Sequence, residues 1–289
     1  MTSGAEARRA FTRALRRTAP RIERRLPWTG HASPWAILVS EFMLQQTAVG
    51  RVQEAWARFL AAYPTPQDCA RAPQSAIIRQ WQGLGYPRRA VALHQTSRIL
   101  AERGGEVPRS IDELLQLPGI GNYTARAIAS FAYGVPVGVV DTNVGRVLAR
   151  AVMNRPFRSR EAQELADSFV VRGSSARWNQ AMLDLGAQWC RSRPQCAECP
   201  VRTACRWHLE GGADPAETSA GVSRPQSRFE GSVRQQRGRI LRHIGARGAS
   251  ASRLAQTEGI DASRLEATLA ALLRDGLIAR RGRHYVLAD

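Results

Sequence analysis

Residues 117–125 read Leu117-Pro118-Gly119-Ile120-Gly121-Asn122-Tyr123-Thr124-Ala125. Two glycines at this spacing permit a tight hairpin whose backbone N–H groups point outward. Apolar residues recur at helical intervals on both sides, over Ile111–Leu117 and Thr124–Ala132. The second helix is expected to begin near Tyr123, where its N-terminus favours an anion. Such a hairpin can grip a DNA phosphate without reading sequence. On residues 117–121 alone, an ordinary turn between packed helices fits as well.

Outward from the hairpin, the pattern is helical from Pro34 to about Leu209. The same periodicity marks Trp35–Leu44, Val52–Leu60, Ala90–Leu100, Asn143–Val152, Ala162–Val170 and Asn179–Trp189. Thr2–Arg25 reads as a basic amphipathic helix. Gly211–Gly231 is rich in Gly, Ala, Ser and Pro and reads as a linker. Beyond it, helices are expected at Val233–Ile244, Ala251–Thr257 and Ser263–Arg274. Two short extended runs follow, Leu277–Arg280 and Tyr285–Leu287, the pattern of a winged-helix module. Such modules bind DNA or make protein contacts.

The 289 residues suffice for two or three domains, and the formal charge is +18. An excess this large points to a polyanion partner, with nucleic acid foremost. All 42 basic residues are arginine, whose planar fork of donors suits phosphate. With no lysine, no side-chain amine can form a Schiff base. No window approaches 18 consecutive apolar residues, so no membrane span is expected. Residues 1–27 lack the apolar core of a secretory signal. Composition points to an intracellular protein with a nucleic-acid partner.

The motif at 117–125, followed by Val139-Val140-Asp141-Thr142-Asn143-Val144 and Arg146–Arg150, resembles the helix-hairpin-helix-GPD superfamily of DNA glycosylases. Ser40-Glu41-Phe42-Met43-Leu44-Gln45-Gln46-Thr47, behind Leu26-Pro27-Trp28, looks like the signature of the A/G-specific adenine glycosylases, the MutY family. Gly83-Leu84-Gly85-Tyr86 and Trp178–Met182 match the same family, and the likeness spans about residues 20–208. It implies an all-α fold: an iron–sulfur domain over residues 1–28 and 142–210, and a six-helix barrel with the hairpin over 29–141. The linker is then 211–231, and the winged-helix-like domain 232–289. The resemblance, carried by the motifs at 117–150 and 40–47, also implies a cytoplasmic, nucleoid-associated bacterial protein, monomeric on double-stranded DNA.

Cys190, Cys196, Cys199 and Cys205 form C-x5-C-x2-C-x5-C. Four clustered thiols in a chain of this kind suggest a metal site rather than disulfides. Their spacing allows zinc or a 4Fe-4S cluster. The resemblance implies the cluster, although the family's first spacing is six residues rather than five. Cys69 reads as a packed helical residue.

Removing a purine requires a proton on the leaving base and negative charge near an oxocarbenium-like sugar. Two carboxylates in different environments meet both needs. Glu41, flanked by Phe42 and Leu44, is the candidate acid, and burial is expected to keep it protonated. Asp141 is the candidate counter-charge, and it also suits a helix N-cap. The resemblance implies that Tyr123 and Asn143 line the same centre, and lyase-active relatives carry lysine where Tyr123 stands. A flipped adenine would face Trp28, Leu44 and Gln180, with Arg24 nearby and Gln46 wedged into the duplex. Tyr86, Gly119 and Gly121 complete the expected DNA-binding set.

The sequence departs from the family in three places. Thr29 replaces an arginine beside the base pocket, and Pro87 replaces an aromatic that intercalates beside the lesion. The segment after the linker is half the length of the Nudix-like domain that reads 8-oxoguanine, and short actinobacterial-type members look similar. The expected activity is monofunctional hydrolysis of adenine mispaired with 8-oxoguanine or guanine. The competing readings are a thymine or uracil mismatch glycosylase, a non-catalytic iron–sulfur DNA-binding protein and, for want of lysine the weakest, an endonuclease III-type lyase.

Overall fold

The computed structural model describes residues 4–30, 32–219, 228–245 and 247–289. In chain order the helices are α1 (Gly4–Ile22), α2 (Pro34–Leu44), α3 (Val49–Ala62), α4 (Pro66–Arg71), α5 (Gln74–Gln80), α6 (Arg88–Glu102), α7 (Ile111–Leu115), α8 (Asn122–Tyr133) and α9 (Thr142–Val147). A π-helical turn, Leu148–Met153, continues α9. Then come α10 (Ser159–Phe169), α11 (Ser175–Gln188), α12 (Arg206–Glu210), α13 (Val233–Ile244), α14 (Ala251–Glu258) and α15 (Ala262–Arg274). Three short strands, β1 (Ala249–Ser250), β2 (Ile278–Arg281) and β3 (His284–Leu287), form one antiparallel sheet in the order β1-β3-β2. Among the described residues, no helix is long and apolar enough to cross a membrane.

Local chemistry sets the helix starts. Ser33 accepts from the Ala36 N–H with Pro34 in the first turn, and Thr65 and Pro66 do the same for α4. Ser232, Ser250 and Asp261 cap the three C-terminal helices. The chain clusters into two compact units. One comprises Met1–Thr29, Arg109–Ile111 and Gly121–Pro225; the other comprises Gly30–Pro108, Asp112–Ile120 and Gln226–Asp289. The C-terminal module thus clusters with the segment around α2 to α6, a grouping that the sequence segments did not anticipate.

In the first unit, Phe11 and Leu15 of α1 share a core with Val147, Leu148, Trp178, Met182 and Leu185. Phe169 stacks on Trp178 at 5.4 Å. Each such fully buried side chain contributes about 1.5–3 kcal/mol. In the second unit, α2 is buried all round from Trp35 to Met43, so it is central rather than amphipathic. The indole N–H of Trp56 donates to the Ala36 carbonyl at 2.8 Å and ties α3 to α2. Gln74 Nε2 donates to the Gly276 carbonyl at 2.8 Å, joining the C-terminal module to α5.

Three sequence expectations change. The helix expected over Asn143–Val152 begins at Thr142 and widens into a π turn from Leu148. The expected two-stranded wing gains β1, which pairs Ala249 with Tyr285 and Ser250 with His284. The linker read over 211–231 is packed at its start. Asp214 is salt-bridged to Arg150, and Ala216 and Ser219 are buried. Residues 220–227 of that linker lie outside the described residues, as do residues 1–3.

Candidate active site

In the second unit, Glu41 lies in the buried middle of α2 and is 4% exposed. Leu44 ends the helix, partly buried. Gln46 follows, exposed and in the left-handed region at φ 58°. One residue that the sequence reading passed over fixes this end of α2. The guanidinium of the buried Arg89 donates to the carbonyls of Phe42 and Met43 at 2.8 Å each. It also reaches Thr47 Oγ1 at 2.9 Å, Leu84 O at 3.0 Å and Gly85 O at 2.8 Å. A cation on the last carbonyls of a helix satisfies both their lone pairs and the macrodipole. Burial lowers the Arg89 pKa to about 10. The same cation orders the Gly83–Tyr86 turn, where Tyr86 takes φ 46°, a costly conformation for a bulky residue.

The hairpin runs from Leu117 to Gly121. Its Gly119 has φ 78°, and a Cβ there would stand 2.9 Å from the ring of Phe42 and 2.8 Å from Ala92. Glycine therefore serves both the turn and the close approach to α2. Gln45 Nε2 donates to the Gly119 carbonyl at 3.2 Å, and Thr96 Oγ1 to Pro118 O at 3.0 Å. Gly121 is the N-cap position of α8, and Tyr123 is partly buried in its first turn.

In the first unit, Asp141 is the N-cap of α9. Its Oδ1 accepts from the Val144 N–H at 2.8 Å, and its Oδ2 accepts from Asn143 Nδ2 at 2.6 Å. Burial raises its pKa; these donors and Arg146 act in the opposite sense. The helix-capping role expected for Asp141 is therefore observed. Asn143 Oδ1 accepts from Arg146 Nη2 at 2.6 Å, and Arg146 Nε donates to the Cys190 carbonyl at 2.7 Å. A Cβ at Gly186 would stand 2.7 Å from Asn143, so α11 can approach α9 only at a glycine.

Arg24 and Gln180 meet on a residue that was not foreseen. Asp184 is fully buried. It accepts from the Arg24 N–H at 3.0 Å, from Arg24 Nε at 2.5 Å and from Gln180 Nε2 at 2.9 Å. Trp28 is buried in the same unit. Thr29 closes the adjacent turn by donating to the Leu26 carbonyl at 2.8 Å.

Cys190, Cys196, Cys199 and Cys205 line one pocket with Val147, Leu185, Trp189, Val201 and Trp207. Burial raises the Cys199 thiol to about 11 and the Cys205 thiol to about 12. Arg150 supports the short first loop. Its Nη1 lies 3.5 Å from Cys190 Sγ and donates to Arg191 O at 2.6 Å, and its Nη2 reaches Ser192 O at 3.2 Å. An all-thiol set lining one pocket fits an iron–sulfur cluster by its donor chemistry, as it also fits zinc. Cys69 is buried in α4.

Residues 39–170 match the family of HhH-GPD superfamily base excision DNA repair proteins. The adenine DNA glycosylase of Mycolicibacterium smegmatis is 41% identical over 264 residues, covering 88% of this chain and 88% of that protein. The chain belongs to the adenine DNA glycosylase family. A match of that extent reaches past the linker into the C-terminal module. Among solved structures, a thermostable thymine-DNA glycosylase superposes with TM-score 0.65 and 27% identity, over 72% of this chain and all of that one. A trapped endonuclease III–DNA covalent intermediate superposes with TM-score 0.63 and 26% identity, over 73% of this chain and 99% of that one. The helical glycosylase fold expected from the sequence is therefore established.

Arg89, paired with Arg88, carried no distinguishing signal in the sequence, whereas Arg146, Arg150 and Asp184 each did. Arg146 and Arg150 fall inside an apolar helical run, and Asp184 lies between Leu183 and Leu185. A lone charge in an apolar stretch was the available signal.

Proposed function

We propose that this protein is a monofunctional DNA glycosylase that removes adenine mispaired with 8-oxoguanine or guanine. The observation that carries the reading is the Asp141–Asn143–Arg146 chain of hydrogen bonds, which holds one carboxylate at the start of α9 with its two oxygens separately engaged. In the reaction, Glu41 donates a proton to a ring nitrogen of the flipped adenine. The C1′–N9 bond breaks and its electron pair leaves with the base. Asp141 supplies the negative charge that stabilises the cationic sugar. Water adds to C1′ and its proton returns to Glu41, leaving an abasic site. Asn143 orients Asp141, and Tyr123 lines the same centre.

Gln180 spends its amide N–H on Asp184, leaving its carbonyl to accept from an exocyclic amino group. Adenine has that donor and thymine does not. Trp28 and Leu44 would enclose the base, and Arg24, held by Asp184, would border it. Gln46 would fill the gap in the duplex, and Gly119 and Gly121 would bring hairpin N–H groups to a phosphate. Cys190, Cys196, Cys199 and Cys205 would hold a 4Fe-4S cluster, which when bound cross-links their loop to the core of its unit. Tyr123, in a chain without lysine, supports hydrolysis without strand cleavage.

End-labelled duplexes bearing 8-oxoguanine:A, G:A, G:T, G:U and 8-oxoguanine:C test this. Cleavage of the adenine strand only after alkali is expected. Cleavage confined to G:T or G:U would instead place the protein with the pyrimidine mismatch glycosylases.

A further inference from the structure

The outer side of α1, in the first unit, is a charged surface that the chemistry above does not use. The helix, GAEARRAFTRALRRTAPRI, carries six arginines and one acid, Glu6. Its inner side packs into the core of the unit through Phe11, Ala14, Leu15 and Ile22. Arg8 is also engaged within the fold. It donates to the Ser168 carbonyl, and its guanidinium carbon lies 4.4 Å from the ring centroid of Phe169. Arg9, Arg13, Arg16, Arg17 and Arg21 are exposed. At about 1.5 Å per residue they extend over about 18 Å, the rise of about five base pairs.

These exposed charges are not neutralised within the fold. Elsewhere in the same unit Arg24, Arg126, Arg150, Arg155, Arg160 and Arg206 each reach a carboxylate, whereas among the described residues none of the exposed arginines of α1 does. Arg9 and Arg13, Arg13 and Arg17, and Arg17 and Arg21 stand one helical turn apart, where like charges destabilise a helix. The other exposed residues described in α1 are Ala5, Glu6 and Pro20, with no aromatic or large aliphatic side chain among them. A helix that lies on a membrane inserts its apolar face, and α1 has buried its own in the core. A protein partner is held by anchors that fill pockets, and this face presents none. Repeated planar forks without an anchor suit a regular row of anions, and the phosphate backbone of DNA is such a row.

We propose that the outer face of α1 is a second DNA-backbone surface, which holds phosphates of the duplex beyond the stretch engaged at the excised base. Arg21 stands three residues before Arg24, which Asp184 holds, so the row begins beside the expected base site and runs away from it along the helix. Such contacts carry no sequence information. They add salt-dependent affinity for any duplex and keep the enzyme on DNA between lesions. The proposal needs DNA as the substrate but not adenine as the excised base, so it goes beyond the reading above.

The test compares the full-length holoprotein with the combined variant Arg9→Gln, Arg13→Gln, Arg16→Gln and Arg17→Gln, since glutamine keeps the helix propensity. Kd is measured against salt on two duplexes carrying 8-oxoguanine:A. One is the shortest that gives a stable complex, and the other is extended by several turns on both sides. On the long duplex each lost phosphate contact should flatten the slope of log K against log salt by about 0.9. The short duplex should keep the wild-type slope and the wild-type single-turnover excision rate. Melting temperatures check the fold, and the variant with only Arg13→Gln and Arg16→Gln should show about half the effect if the larger one is unstable. Equal flattening on both duplexes would mean a general field rather than a contact. Unchanged slopes on both would mean a merely solvated face, and either result overturns the proposal. Binding to vesicles of anionic phospholipid that the variant loses, with both DNA slopes intact, would reassign the face to a membrane. A length-dependent change of slope in a protein that excises no adenine would sink the adenine reading while this surface stands. Normal adenine excision with unchanged slopes would sink the surface alone.

Discussion

Asn143 donates its amide N–H to Asp141 Oδ2 at 2.6 Å and accepts from Arg146 at the same distance. The amide is therefore held at both ends, and so is the carboxylate's orientation. Asp141→Asn should retain DNA binding and lower single-turnover adenine excision by at least about 10²-fold, the scale on which one preorganised electrostatic group acts. Gel-shift titration and quench-flow on the same duplex separate the two effects. An Asp141→Asn protein as fast as wild type would remove Asp141 from the chemistry.

Arg146 touches no expected substrate position, yet it joins Asn143 to the Cys190 carbonyl and to Gly186 O. Arg146→Gln should slow excision about 10- to 100-fold, the usual cost of losing a residue that orients a ligating or reacting group. The KM for duplex should change little. Arg146→Lys should recover only part of the rate, since one ammonium cannot span the same three acceptors.

The pH profile follows from the environment of Asp141. Burial raises its pKa, and the proposed role needs the ionised form. The acid limb of the excision rate should therefore lie above the usual carboxylate range, with activity lost as pH falls through it. Asn143→Ala removes a donor that lowers this pKa, so the limb should move further up. A limb that moves down in Asn143→Ala would contradict the hydrogen bond's role.

Arg89 satisfies acceptors on α2, on Thr47 and on the Gly83–Gly85 turn. Arg89→Ala leaves several buried carbonyls without a donor, and each hydrogen bond to a charged group is worth about 1.5–3 kcal/mol. A loss of more than about 3 kcal/mol in urea unfolding is expected. Arg89→Lys should still be destabilised, because three donors replace a five-donor fork.

Borohydride added during turnover should trap no covalent protein–DNA adduct, because the chain contains no lysine to form the imine. An adduct on denaturing gels would point to another amine and end the monofunctional reading.

Much of this protein is legible along the chain because its signals are local. Helical periodicity located the main helices, and Ser33-Pro34 and Thr65-Pro66 mark starts through capping chemistry alone. Gly119 is recognisable as a turn glycine, and the C-terminal helices emerged close to their observed limits. The carboxylates and cysteines stood out as reactive types at suggestive spacing. The polar partners that hold them did not. Asp184 serves Arg24 from 160 residues away, Asp214 reaches Arg150 across 64, and Arg234 reaches Tyr86 across 148. A buried charge is retained only where packing brings its partner, and no periodicity announces that meeting. The π turn after α9 and the packed start of the supposed linker arise in the same way. Local propensity sets where helices form, whereas long-range polar contacts appear only once the chain has closed on itself.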